Sequence, residues 1–173
     1  FFMFRIFILL ILTTVQINFG QAKSKSKSVP NYPSLTIQAN EMAQAFLNED
    51  YGTFSNYMYP KLFEFLGTKE KFIEFTKNSI NEMKSTGASF EKYKVVKTLQ
   101  ILRSNKQIFG VLQTEMIMNM PPKKVNIIGS VVGVSNDNGK NWKFIRITSA
   151  DDLKQFFPKL SNKLKVLPDT ISE

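Results

Sequence analysis

The sequence predicts an α+β domain in which helices come first and an antiparallel sheet follows. Apolar residues recur at helical spacing up to about Gly87, and from there to about Thr148 they alternate with polar residues, as they do in strands. A polar turn between Ser135 and Trp142 separates two alternating runs and carries the Asn-Gly pair typical of a hairpin. This order predicts a curved, cone-shaped sheet of four or more antiparallel strands with the N-terminal helices packed on it.

The first 22 residues have the pattern of a cleaved secretory signal. Arg5 precedes an apolar run, and Gly20 and Ala22 are small residues at the spacing that a signal peptidase requires. The apolar run is about half of the roughly 20 residues that a membrane span needs. We therefore expect cleavage after Ala22, and a secreted or periplasmic product without a membrane span.

Residues 23–34 are expected to form a polar linker, because alternating lysine and serine side chains bury nothing. Residues 35–173 are then a single domain that ends in a short helix and a tail. Arg5 and three linker lysines lie outside this domain, so its formal net charge falls from +9 to +5. No basic helix concentrates this charge, and the sequence does not favour a nucleic-acid partner.

Three helical stretches are expected before the strands. The first covers about residues 36–49, where the apolar positions have helical spacing. Gly52 breaks this helix, and an irregular helical piece follows as far as Gly67. Thr68 is a good N-cap for a third helix that Gly87 ends.

The strand region contains one long alternating run, from Ile108 to Met120. Gly129 and Gly133 in the following strand are interpreted as bulge or bend positions. After the last strand, Ser149 is expected to cap a short helix over residues 151–157. The helices are expected to cover one face of this sheet.

The order of these elements resembles the nuclear transport factor 2-like fold, a cone-shaped α+β module found in polyketide cyclases, steroid isomerases and many small exported bacterial proteins. The resemblance covers about Leu35 to Thr148 and rests on architecture rather than on a diagnostic motif. It implies a pocket between the helices and the sheet. Steroid isomerases of this class use a pocket aspartate with a tyrosine and a protonated aspartate, and that set has no match in this chain.

A second resemblance is local. Ser135, Asp137, Gly139 and Trp142 match the Asp-box hairpin found in sialidases and other secreted β-propellers. A propeller repeats the motif once per blade, whereas this chain carries it once, so we interpret it as a structural turn. Asp137 is expected to accept backbone hydrogen bonds, Gly139 to supply the turn, and Trp142 to bury its ring beneath the loop.

The chain contains neither histidine nor cysteine. The commonest general base, thiolate nucleophiles and the usual zinc ligands are therefore missing, and we expect no metal and no cofactor. Glu115 is the one weak candidate for a catalytic base. It would need to face an apolar cavity, because burial there would raise its pKa.

The residues that we expect to line a ligand pocket are Tyr57, Tyr59, Phe63, Glu115 and Arg146. They favour a non-catalytic binding module whose partner is a small apolar ligand or a protein of the cell envelope. A homodimer through the sheet face is a further possibility. The alternative is a carboxylate-based lyase or isomerase that uses Glu115.

Overall fold

The computed structural model describes residues 31–173, so the expected signal and most of the expected linker lie outside the described residues. The first described helix, α1, covers Pro33–Leu47 and begins slightly earlier than the sequence pattern indicates. Pro33 lies in its first turn, where a missing N–H costs nothing. Leu35, Ala39, Met42 and Phe46 recur at helical spacing and form its buried face.

Three more helices precede the sheet: α2 (Tyr51–Tyr57), α3 (Lys61–Leu66) and α4 (Lys69–Ser85). The Thr68 side chain accepts a hydrogen bond from the Lys71 N–H and so caps α4, as the sequence predicts. Gly87 follows α4 with a φ of 86°, a conformation that glycine adopts without steric cost.

Five antiparallel strands form one curved, open sheet. The strands are β1 (Ser89–Ser104), β2 (Gln107–Met120), β3 (Lys123–Ser135), β4 (Lys143–Ile147) and β5 (Thr170–Ser172). They pair in the order β1-β2-β3-β4, and β5 pairs with β3 beyond the end of β4. Helix α5 (Ala150–Phe156) connects β4 to the last segment and is capped by Ser149. The architecture is thus α+β, with N-terminal helices packed on a curved antiparallel sheet.

The N-terminal helices pack on one face of the sheet, which we call the inner face. Its core joins helix residues such as Leu35 and Phe46 to sheet residues such as Leu112, Val131 and Phe144. The chain from α5 onward covers part of the opposite, outer face. There Phe156, Phe157, Leu160 and Leu164 pack on Phe109, Val111, Val132, Ile145 and Ile147. The apolar residues after Thr148 therefore bury a second face of the sheet, in addition to the face that the N-terminal helices cover.

Gly129 and Gly133 are not bulges, contrary to the sequence interpretation. The register between β2 and β3 is continuous, and the irregularities lie in β1. A Cβ on Gly133 would lie 2.7 Å from Leu35 Cδ1 and 3.0 Å from Phe144 Cε1. The missing side chain thus makes room for the close approach of α1 to the sheet.

Candidate functional site

The hairpin between β3 and β4 is held by side-chain bonds to its own backbone. Ser135 Oγ accepts from Gly139 N–H at 2.9 Å and donates to Asp137 Oδ1 at 2.8 Å. Asp137 Oδ1 also accepts from Asn141 N–H at 2.9 Å, and these bonds lower the pKa of Asp137 from 3.8 to about 2. Gly139 adopts a φ of 87°, as a tight turn requires.

Trp142 lies beneath this turn and is 1% exposed. Its Nε1 donates to Ser34 Oγ and to the Gly139 carbonyl oxygen, both at 3.1 Å. Its backbone N–H donates to Gln38 Oε1 at 2.9 Å. The indole therefore joins the hairpin to the first turns of α1, which gives this part of the molecule a structural role.

The five residues expected to line a pocket do not meet in one place. Tyr57 Oη donates to Glu41 Oε2 at 2.8 Å, and its ring packs on the inner core. The Tyr59 ring lies 5.5 Å from that of Phe157 and packs on the outer core. Phe63 packs edge-on against Phe72, with 5.3 Å between ring centroids. Burial raises the pKa of both Tyr57 and Tyr59.

Glu115 lies on the outer face, away from the N-terminal helices. Its Oε2 is 2.8 Å from Lys92 Nζ and 3.4 Å from Lys94 Nζ. A hydrogen bond from Lys92 is the main reason that the pKa of Glu115 is lowered rather than raised. A general base that works near neutral pH needs the opposite shift.

Arg146 lies on the inner face near the gap between β4 and β5. Its Nη2 donates to Asp169 Oδ2 at 2.8 Å, and the Asp169 side chain is only 5% exposed. Burial raises the pKa of Tyr93, and the neighbouring Arg146 guanidinium opposes this shift. Arg146 Nη1 and Asp169 Oδ1 are buried and have no hydrogen-bond partner among the described residues.

A cavity of about 170 Å³ lies between the helices and the start of the sheet, at the C-terminal end of α1. We call it the Tyr51 cavity. Its apolar wall comes from three elements, with Phe46 from α1, Ile80 from α4 and Phe90 from β1. The Tyr51 side chain comes from α2, and its hydroxyl is buried without a partner among the residues that the structure describes.

The polar side of the Tyr51 cavity is formed by Glu49 and Lys84, which make an exposed ion pair with each other. Burial raises the pKa of Tyr51, and the negative charge of Glu49 raises it further. The hydroxyl is therefore neutral over the physiological pH range and can both donate and accept a hydrogen bond.

Sequence reasoning missed this cavity. Tyr51 belongs to the same aromatic-rich stretch as Tyr57 and Tyr59, but no local pattern marks one tyrosine hydroxyl as buried and unpartnered. The lining residues lie between positions 46 and 90 and come from four elements and the loop after α1. Only the helical stripe of α1 pointed to Phe46, and it indicated a core residue.

Residues 31–173 contain no group of three or more acidic side chains arranged to hold a metal ion. Within that same range, no helix is long and apolar enough to cross a membrane.

Comparison with known proteins gives no relationship from which a function can be transferred. No family model matches the chain, and a search of curated proteins found no significant match.

Proposed function

We propose that the chain is an exported, non-catalytic binding module that holds a small, mainly apolar ligand in the Tyr51 cavity. The observation that carries this proposal is the combination of a cavity with Tyr51, whose side chain lines it and whose hydroxyl is buried without a hydrogen-bond partner among the described residues. More than nine in ten buried polar groups in proteins have a partner. A ligand with one polar group supplies the partner that the protein does not.

The size of the cavity limits the ligand. An engineered apolar cavity of about 150 Å³ binds benzene, so a volume of about 170 Å³ admits a single substituted ring. Phe46, Ile80 and Phe90 offer apolar and aromatic contacts to such a ring. A phenol-sized ligand whose hydroxyl meets Tyr51 combines both features.

The rim of the cavity provides the entrance. Glu49 and Lys84 lie there with side chains that are 47% and 41% exposed. An exposed ion pair contributes about 0–1 kcal/mol, so opening it costs little. A ligand can therefore reach the cavity without unfolding a helix.

The alternative of a carboxylate-based lyase or isomerase has less support. It rests on Glu115, whose carboxylate is ion-paired to two lysines on the outer face. The Tyr51 cavity lies on the inner face, and the acidic residue in its lining, Glu49, is paired with Lys84. The ion pairs of Glu115 lower its pKa, whereas a base that works near neutrality needs a raised one.

The proposal also includes membership of the nuclear transport factor 2-like class. The resemblance implies a pocket between the helices and the sheet, and the Tyr51 cavity lies between the helices and the first residues of β1, Ser89 and Phe90. Class membership and export remain parts of the proposal.

The proposal is tested by NMR titration of the chain with p-cresol and, separately, with toluene. We expect both ligands to shift resonances of Phe46, Ile80 and Phe90, and p-cresol to bind about 2- to 10-fold more tightly, as one hydrogen bond of about 0.5–1.5 kcal/mol allows. Tyr51→Phe should remove this preference. Tyr57→Phe is the matched control and should keep it, because the Tyr57 hydroxyl bonds to Glu41. Shifts away from the cavity, or an unchanged preference in Tyr51→Phe, would contradict the proposal.

A further inference from the structure

Residues 167–173, which we call the strap, lie on the rest of the domain in the way that a separate peptide lies on its receptor. We propose that the surface beneath the strap is a docking site for an extended acidic segment of a partner protein, and that the strap competes with this segment for the site.

The first part of this surface is the edge of β3. Asn126, Ile127 and Ile128 pair antiparallel with Ser172, Ile171 and Thr170 of the strap. All three strap residues are exposed, so their contribution is mainly backbone pairing. Addition of an extended peptide to a sheet edge is a common mode of peptide recognition, in which the main chain supplies affinity and a few side chains supply specificity.

The second part is a slot for one aspartate. Gly129 lies between the β3 residues that pair with β4 and those that pair with β5. The strap passes this gap, and Asp169 enters it to reach Arg146. A Cβ on Gly129 would lie 2.2 Å from Asp169 Oδ1 and 2.7 Å from Arg146 Nη2, so glycine is needed for the aspartate to fit. Arg146 is half-buried at the end of this slot, and an arginine there selects a carboxylate.

The third part of the surface is Ser130, which binds the backbone of the strap. Ser130 is fully buried, and its Oγ accepts from the Leu167 N–H and donates to the Leu167 carbonyl oxygen, both at 3.1 Å. Ser130 therefore recognises one residue of the strap without contacting its side chain. A partner segment with another residue at that position makes the same two bonds.

Apart from Asp169, the strap is loosely packed. A cavity of about 250 Å³ is lined by Leu167, Pro168 and Thr170 of the strap together with Gln113 and Ile128 of the sheet. Leu167 is 44% exposed and Ile171 is 39% exposed, so neither side chain is part of the core. Segments with few buried contacts and exposed backbone bonds open at the lowest free energy.

Charge defines the chemistry of the partner. Arg146 and Lys123 belong to the body of the domain, and they pair with Asp169 and Glu173 of the strap. A fitting segment is therefore extended, has an aspartate for the Gly129 slot, and has a second acidic residue four positions later, about 13 Å along a strand. The strap itself has this pattern.

The strap is joined to the domain by a few residues, and a short tether gives it an effective concentration in the millimolar range. A free peptide at micromolar concentration therefore binds the native chain poorly. Substitutions that loosen the strap should make the site accessible to the peptide. Substitutions at Arg146 or in the slot should instead weaken binding of both the strap and the peptide.

The experiment measures fluorescence anisotropy of a labelled peptide, Leu-Pro-Asp-Thr-Ile-Ser-Glu, mixed with the full chain. Two variants loosen the strap: Asp169→Asn removes its charge, and Ile171→Pro disfavours its strand, because proline lacks the N–H and fixes φ. We expect each to bind the peptide at least 10-fold more tightly than the native chain. A control peptide with asparagine in place of aspartate should bind these variants at least 10-fold more weakly.

Hydrogen exchange of the Thr170 and Ser172 amides, which both variants retain, shows in the same samples whether the strap has been released. Released amides without peptide binding would overturn the proposal, and so would retained protection in both variants. Adding Gly129→Ala to Ile171→Pro should abolish binding, and unchanged binding there would also overturn it. Light scattering identifies the third outcome, since native chains that exchange straps and form dimers would show that the occupant is a second copy instead. These results are independent of p-cresol binding.

Discussion

The two ends of helix α1 differ in how completely their polar groups are satisfied. At its start, Trp142 bonds to Ser34 and to the turn, and Leu35 fills the space that Gly133 leaves. At its end, the Tyr51 hydroxyl is buried without a partner among the described residues, beside a cavity of about 170 Å³. One end therefore provides stability, and the other retains the capacity to bind.

The largest effect should come from Trp142→Ala, at the satisfied end. Removal of a fully buried indole leaves a large cavity, and we expect a loss of about 3–5 kcal/mol of unfolding free energy in urea melts. Ile37→Ala is the control on α1, because Ile37 is 56% exposed and should change stability by less than about 0.5 kcal/mol. Equal losses from the two variants would remove the distinction between the two ends.

Gly133→Ala tests the close packing at the same end. The added methyl group meets Leu35 and Phe144, which are both buried, and overpacking should cost about 1–3 kcal/mol. Gly52→Ala is the matched control. Gly52 lies exposed in α2, where a Cβ would meet nothing closer than 3.5 Å, so alanine should stabilise the protein by about 0.4–1 kcal/mol.

The Gly133→Ala explanation is checked by adding Leu35→Ala. If Leu35 is the obstacle, the double variant should lose less stability than the sum of the two single variants. Strict additivity in urea melts would show that Gly133 is needed for another reason.

These two ends also show what sequence can predict. The hairpin was recognisable because its determinants, Ser135 to Trp142, are consecutive and act through local backbone bonds. The Tyr51 cavity was not, because residues as distant as Phe46 and Phe90 meet only after α1 docks on the sheet. An unpartnered hydroxyl is a property of that docking and leaves no pattern in the chain.

The interpretation of the two β3 glycines as bulges was wrong for a related reason. A glycine in a strand pattern marks either a bulge or a close approach, and the sequence does not distinguish them. Gly133 admits Leu35 from about a hundred residues earlier, and Gly129 admits Asp169 from forty residues later. The strap and its slot could not be predicted either. The sequence places Arg146 among the candidates for a ligand pocket and Asp169 in the C-terminal tail.

Acid should weaken the hairpin at the satisfied end. The pKa of Asp137 is lowered to about 2 in the folded protein, mainly by the Asn141 N–H. A group with a depressed folded pKa contributes stability above its unfolded value, near 3.8, and this contribution disappears as the pH falls toward 2. Urea midpoints of native protein and Asp137→Asn should therefore differ at pH 6 and converge at pH 2. A difference that persists at pH 2 would assign the effect to something other than the carboxylate.

The smallest effect on stability, and the most informative sign, is expected for Tyr51→Phe. A buried hydroxyl without a partner carries a desolvation cost of about 1–3 kcal/mol, whereas a bonded hydroxyl contributes about 0.5–1.5 kcal/mol. Removing the Tyr51 hydroxyl should thus leave the unfolding free energy unchanged or raise it by up to about 1 kcal/mol. Tyr57→Phe, which breaks the bond to Glu41, should lower it slightly. Each variant lacks one hydroxyl oxygen, at a different site. Changes of opposite sign in the unfolding free energy, measured by urea melts, would therefore be attributed to hydrogen bonding. A loss in Tyr51→Phe as large as that in Tyr57→Phe would mean that the Tyr51 hydroxyl has a partner in solution, and the two ends of α1 would then be equally satisfied.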